Sequence, residues 1–326
     1  MRHKSVSYAK YGYIFCIPFV IAFLIFWLYP IIYTAVIGFT DLKGMGRTDF
    51  NFLTEPFKNF ELVLKNPSFR ISLFNTAVMW ILNFIPQILL ALLFTAWFTS
   101  HRKKIKGQGI FKVLFYMPNI ITAATIAILF SSLFGYPIGP VNDLFKMLGL
   151  SKEPINFLLQ KWTARGIVAF IQFWMWYGYT MIVLISGVLG LNPELFEAAE
   201  IDGASGRQTF FYVTLPNLRT ILLYTMITSL IGGLQMFDIP RLFNLGGPDN
   251  ATLTASNFIN NQAFSGSYMY NRAAAASMIM FAIIAVLSAV IFYVMRDKDA
   301  AQLRKLEKKQ MKEYKLAEKA ARREAV

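Results

Sequence analysis

The sequence predicts an all-α, polytopic membrane protein with six transmembrane helices and both termini cytoplasmic, and three observations predict it. The 326 residues are 56% hydrophobic and 15% charged, against about 45–50% apolar and 25% charged in soluble domains. Apolar residues gather in six long stretches, 13–39, 71–98, 110–134, 166–191, 220–237 and 273–295, each near the ~20 residues a helix needs to cross a bilayer. Lys and Arg are unequally shared between alternate connecting segments, 21 of the 32 falling on the side that holds both chain ends. Cytoplasmic segments carry such an excess, so the net charge of +14 reads as topology and calls for no nucleic acid partner.

Residues 1–12 form a short cytoplasmic segment. The stretch that follows is longer than a signal-peptide core of about 7–15 residues and has no small-residue cleavage site before Pro30, so it is expected to remain as an anchor. Tyr8, Tyr11 and Tyr13 at one end, with Trp27 and Tyr29 near the other, suit headgroup depth. Cys16 is the single cysteine, which excludes an intrachain disulfide and a cysteine-based metal site. Residues 40–70 and 150–161 are outer excursions, too small for a catalytic domain. In the second and third stretches Asn83, Gln87 and Asn119 either face a cavity or bond between helices. The run 101–104 (HRKK), followed by Lys106 and Lys112 with no acid among them, pins the second connection inside. The tail, 296–326, has 11 basic and 6 acidic residues and no Gly or Pro. It is expected to be helical, helped by the Glu318 and Arg322 pair, and serves either as a solvated anchor or as a binder of anionic lipid at about 1 kcal/mol per cation.

Several functions are disfavoured. Carriers driven by ion gradients usually hold titratable groups inside their spans, and these spans are expected to hold none; a phosphorylated cargo is disfavoured on the same ground. No Gly-Lys pair occurs, so there is no P-loop. His3 and His101 are the only histidines, and neither G-x-S-x-G nor H-E-x-x-H is present. The chain is not expected to be an enzyme, nor to use a cofactor or a metal.

The connection 192–219 departs from the charge trend, with four acids to two bases. Asn192 can cap a helix that has Pro193 at its first position, and Glu194 and Glu197 suit its first turns. Gly203 offers a left-handed terminus. Ser205 and Gln208 then fit a capping box that opens a second helix, expected to run to Val213. Phe196, Ala199, Phe210 and Phe211 give this hairpin an apolar surface.

Glu197-Ala198-Ala199, three residues, Gly203, nine residues and Val213-Thr214-Leu215-Pro216 resemble the EAA loop of binding-protein-dependent ABC importer permeases, with Val where Ile is usual. Asn75-Thr76, the run 115–135, Gly246-Gly247-Pro248 with Thr252, Ala263-Phe264, and Tyr270 with Arg272-Ala273-Ala274-Ala275 are similar to the carbohydrate permeases of the maltose and multiple-sugar type. The resemblance covers 13–295 and implies a type I importer permease fold. It also implies an ATPase-coupling role for Glu197, Ala198, Ala199, Gly203, Leu215 and Pro216, the loop seating as a coupling helix in a cleft of a cytoplasmic ATPase. The partners it implies are a second homologous permease, a pair of ATP-binding subunits and an extracytoplasmic sugar-binding protein, in the plasma membrane of a bacterium or archaeon.

Sugars are read by hydrogen-bonding groups and flat aromatic faces. Gln172, Trp176 and Tyr179, spaced four and three apart, share one helical face, beside Trp174 and Tyr177. Each aromatic there either lines a path or packs. Ser229, Gln235 and Asp238 look similar to the region where this family lines its substrate path, while Gly232-Gly233 either joins them or makes a close helix contact. These six polar and aromatic residues are the candidate carbohydrate path, for an oligosaccharide by the resemblance. The rival reading is a self-contained secondary transporter or channel for a small polar solute.

Overall fold

The structure, a computed structural model, describes residues 9–100, 105–266, 268–296, 306–311 and 313. It is almost wholly helical. In chain order the helices are α1 Ala9–Phe23, α2 Tyr29–Ile37, α3 Lys58–Lys65, α4 Pro67–Phe98, α5 Gln108–Ile120, α6 Ala123–Leu133, α7 Pro140–Met147, α8 Lys161–Leu189, α9 Glu194–Ile201, α10 Gly206–Gln208, α11 Leu215–Asn217, α12 Arg219–Leu234, α13 Asp238–Asn244, α14 Ala255–Phe264 and α15 Tyr270–Met295. Among the described residues the β pairing is one isolated bridge, Thr40 with Phe52. Among the described residues five helices are long and apolar enough to cross a membrane, and a sixth span results if α5 and α6 are one broken crossing. The run 101–104, His3, Tyr8 and most of the tail, including Glu318 and Arg322, lie outside the described residues.

Two π-helical turns, Leu24–Leu28 and Thr209–Thr214, interrupt the α geometry, and each ends two residues before a proline, Pro30 and Pro216. A proline ring collides with the carbonyl four residues earlier. Those carbonyls belong to Phe26 and Tyr212, inside the two wide turns, so the backbone has yielded where the ring requires it. The second helix of the hairpin therefore stops at Gln208 and continues through a π turn, where an unbroken helix to Val213 was expected.

Two of the apolar stretches carry breaks, and one further expectation is corrected. Residues 110–134 bend sharply: α5 and α6 meet at 92°, with Ile121 extended at φ −73°, ψ 137°, just after Pro118 has removed a rung of the ladder. The fifth stretch lies in Arg219–Asn244, which is long and apolar enough to cross a membrane, with an interruption between the end of α12 at Leu234 and the start of α13 at Asp238. The spanning helices are not free of charge. Lys112 lies in α5, with Nζ 5.7 Å from the Phe98 ring centre. Arg165 lies in α8 and is buried, so an argument about cargo charge from uncharged spans does not hold.

The described residues divide into two units. The first draws on Met1–Leu82, Ala123–Ile171 and Gly233–Ala285, the second on Asn83–Thr122, Gln172–Gly232 and Val286–Val326. In the first, Phe69 and Phe258 pack with ring centres 5.2 Å apart among Val63, Ala275 and Ala276. Buried amides organise its loops. Asn59 Nδ2 donates to the carbonyls of Gly38 and Thr40 at 2.9 and 2.8 Å and its Oδ1 accepts from Asn271. Asn142 does the same for the chain between α6 and α8, donating to Gly135 and Ile155 and accepting from the Ile155 amide at 2.8 Å. The amide of Asn51 donates to Asp41 at 2.8 Å, which, with Arg47 nearby, holds that carboxyl below the usual range.

In the second unit Ala91, Met181, Leu184 and Ile185 form the core, and the rings of Phe94 and Phe115 stack at 4.5 Å. Gly178 sits where α8 meets α5, and a Cβ there would run into the Phe115 carbonyl. Gln87 Nε2 donates to Thr180 Oγ1 at 2.7 Å, with both side chains buried, so this amide bonds between helices. These amides are satisfied within the apolar bundle, as the scarcity of water at that depth favours, whereas the buried side-chain polar atoms of Asn257 and Ser288 find no partner among the described residues.

Candidate functional site

The hairpin between α8 and α12 forms from strictly local chemistry. Asn192 Oδ1 accepts from the Glu194 amide at 3.1 Å and starts α9. The Asp202 amide closes that helix onto Ala198, and Gly203 takes φ +74°, a conformation that costs glycine little and a side-chain-bearing residue more. Ser205 Oγ accepts from the Gln208 amide at 3.3 Å while Gln208 Oε1 accepts from the Ser205 amide at 2.8 Å, closing the capping box. One face is tied down, since Phe196 is buried against Val188 and Leu218 and Ala199 is buried beside it. The other face is open: Glu197, Ala198, Gly203 and Pro216 are exposed and Leu215 is half-buried. The six residues assigned to coupling thus fall on a pinned hairpin, four of them at its surface.

At the other end of the hairpin's exit helix chain, Arg219 Nε donates to the carbonyl of Met295 at 2.7 Å. That carbonyl is one of the last in α15 and lacks a partner within its own helix. The base of the hairpin and the end of the last span are therefore joined through one guanidinium.

The substrate-path residues are placed as follows. Gln172, Trp176 and Tyr179 share a face of α8, where the Trp176 and Tyr179 rings meet edge to face at 5.8 Å and Tyr179 shares a hydrogen bond with Tyr224 of α12. Gln172 and Tyr179 are half-buried and Trp176 is exposed. Ser229, half-buried on α12, belongs to the same unit. Gln235, exposed in the break after α12, and Asp238, at the first position of α13, belong to the other unit. Of the two glycines, Gly233 makes a close contact, since a Cβ would strike the Trp80 indole, whereas Gly232 is open.

One cluster that sequence reasoning left dispersed is assembled in the first unit. Asn75 Nδ2 donates to the carbonyls of Asn250 and Leu253 at 2.6 and 3.0 Å, and Thr76 Oγ1 accepts from the Ala255 amide at 3.0 Å. Arg165 Nε and Nη2 donate to Asn75 Oδ1 at 3.0 and 2.8 Å, and Nε also reaches the Ala251 carbonyl at 3.0 Å. Its guanidinium lies 4.8 Å from the Trp162 ring centre and 5.6 Å from that of Phe74, which favours a cation. Among the described residues it has no carboxylate partner. Thr252 Oγ1 closes the loop on the Gly247 carbonyl at 2.8 Å. The Asn75-Thr76 pair, Arg165 and the loop from Gly246 to Ala255 therefore form one clasp. Arg165 escaped notice because it stands one residue outside an apolar stretch.

Helices long and apolar enough to cross a membrane, five or six among the described residues, define a polytopic membrane protein. The family model for the binding-protein-dependent transport system inner membrane component matches residues 62–301, and the chain belongs to that family. It is the multi-pass inner-membrane component of an ABC importer, not an enzyme. The chain is similar to the lactose transport system permease protein LacF of Rhizobium radiobacter, 31% identical over 291 residues that cover 88% of this chain and 94% of the relative. It is also similar to the arabinooligosaccharides transport system permease protein AraP of Bacillus subtilis, 30% identical over 287 residues, 87% and 88% of the two chains. In fold it matches a chain of a bacterial ABC transporter involved in the import of the acidic polysaccharide alginate, with TM-score 0.72 and 23% identity over 88% of this chain and 95% of that one.

Proposed function

We propose that this permease forms the translocation path for a carbohydrate, an oligosaccharide in particular, delivered by an extracytoplasmic binding protein and driven by a separate pair of ATPase subunits acting with a second homologous permease. The observation that carries the reading is the hairpin: an exposed Glu197-Ala198 edge, held against the bundle by Phe196 and Leu218 and turned by a left-handed Gly203, is suited to pass a displacement on without absorbing it. The named cargoes of LacF and AraP, a disaccharide and oligosaccharides, support the choice of substrate. Residues 192–219 act as the coupling segment within a 13–295 permease domain, and 1–12 and 296–326 are cytoplasmic.

Gln172, Trp176 and Tyr179, with Ser229, Gln235 and Asp238, supply amide, hydroxyl, carboxylate and aromatic groups of the kind that bind sugars. The test is uptake of labelled oligosaccharides by proteoliposomes that hold the complete complex, ATP and the binding protein encoded beside it. Gln172→Leu and Gln235→Leu are expected to leave assembly intact and lower uptake by about tenfold each, the worth of one buried polar contact. Uptake at the unmodified rate in both would move the path elsewhere, and transport without an ATPase would overturn the coupling role.

A further inference from the structure

The second unit holds a cavity of about 530 Å³ between the end of α4 and the hairpin, within the range of about 300–1,000 Å³ typical of small-molecule sites. Its wall is apolar, made by Leu93 and Trp97 from α4, Phe196 from α9 and Phe210 from the π turn, and its rim carries Glu200 and Arg207. Trp97 is 54% exposed on the chain. Among the described residues neither Glu200 nor Arg207 forms an ion pair, and they do not pair with each other; Arg207 stands 5.9 Å from the Phe211 ring centre.

We infer that this cavity binds one membrane phospholipid with a zwitterionic head, its acyl chain between Trp97 and Phe210, its phosphate on Arg207 and its ammonium on Glu200. Two features select that occupant. The wall takes Leu93 and Trp97 from the last turns of α4, a 32-residue apolar helix long enough to cross a membrane, and lipid is the most concentrated apolar ligand beside such a helix. Among the described residues the lining carries one cation, Arg207, and one anion, Glu200, neither in an ion pair, which complements a head that carries both charges; an anionic head would meet Glu200 at a cost. The lining takes Phe196 and Glu200 from α9 but not Glu197 or Ala198, so lipid there would leave the exposed Glu197-Ala198 edge free.

The test is photolabelling of the complete complex in vesicles that contain phosphatidylethanolamine with a diazirine on one acyl chain, followed by peptide mapping. Label is expected on Leu93, Trp97 and the peptide around Phe210. Ala96→Phe, which fills the cavity, is expected to remove that label. Arg207→Gln and Glu200→Gln are each expected to lower it about tenfold, the worth of one charge-assisted contact. Label on the first span, exposed from Lys10 to Tyr33, should be unchanged in every variant and reports correct insertion. Equal labelling by a phosphatidylglycerol or palmitate analogue would overturn the zwitterionic assignment. Label on the first span with none in the cavity would show that protein covers it and would overturn the site.

Discussion

Arg165 shows what a residue does that composition does not reveal. A cation with no carboxylate beside it is expensive in an apolar bundle, yet its donors reach Asn75 Oδ1 and the Ala251 carbonyl and two aromatic faces flank it. Replacing it by Leu orphans both acceptors at about 1–3 kcal/mol each. Arg165→Leu should therefore lower the thermal midpoint of the purified chain in detergent, with Arg165→Lys intermediate; an unchanged midpoint for Leu would mean the clasp contributes nothing. Gly178 is the steric counterpart, because its missing Cβ admits the Phe115 backbone. Gly178→Ala should cost about 1–3 kcal/mol through overpacking, while Gly232→Ala, which meets nothing within 4 Å, should be neutral or gain up to about 1 kcal/mol. A similar loss at both glycines would refute the close crossing. Neither Arg165 nor Gly178 was legible in the sequence, since hydropathy records what a residue is and not which backbone arrives beside it.

At the scale of an element, legibility followed locality. The Ser205 and Gln208 box, the Asn192 cap and the left-handed Gly203 could be read directly, because each rests on residues within four positions of one another. The 92° turn between α5 and α6 and the two π turns could not, since a proline permits either a gentle bend or a sharp break and tertiary packing chooses. In the hairpin the local chemistry has a sharp consequence. At φ +74° a β-branched side chain is a steric outlier, with strain of about 1–3 kcal/mol, and Gly203 has open space around it, so only the backbone objects. Gly203→Val is accordingly expected to insert normally and to lower ATP hydrolysis stimulated by the loaded binding protein about tenfold. Glu197→Lys should do the same by reversing the charge of the exposed edge. Ser205→Ala, which removes half of the capping box, should cost about 1 kcal/mol of hairpin stability and reduce the stimulation only partly. Full stimulation in both Gly203→Val and Glu197→Lys would separate the hairpin from coupling.

For the whole molecule, the order of the apolar helices was legible because six apolar stretches leave little choice, five of them proving long enough to cross and the sixth only if α5 and α6 are one crossing, whereas orientation is carried by charge alone: a helical bundle packs identically whichever end faces the cytoplasm. The Lys and Arg ratio of 21 to 11 predicts that the termini lie inside, but the tail after Lys298 supplies nine of the 21, and without it the ratio is 12 to 11. Orientation is set chiefly by compact basic runs near the ends of spans, and the acid-free run of Arg102, Lys103, Lys104, Lys106 and Lys112 is untouched by that truncation. A chain ending at Lys298 should therefore insert the same way round and still transport. The measurement places single cysteines at Lys152 and Asp202, both exposed, in a Cys16→Ser background and treats cells with an impermeant thiol reagent. Lys152→Cys should label in intact cells and Asp202→Cys only after permeabilisation, in the full and the truncated chain alike. Labelling of Asp202→Cys in intact cells would invert the topology and put the hairpin out of reach of any ATPase. A reversal confined to the truncated chain would show instead that the tail, and not the second connection, holds the molecule in place.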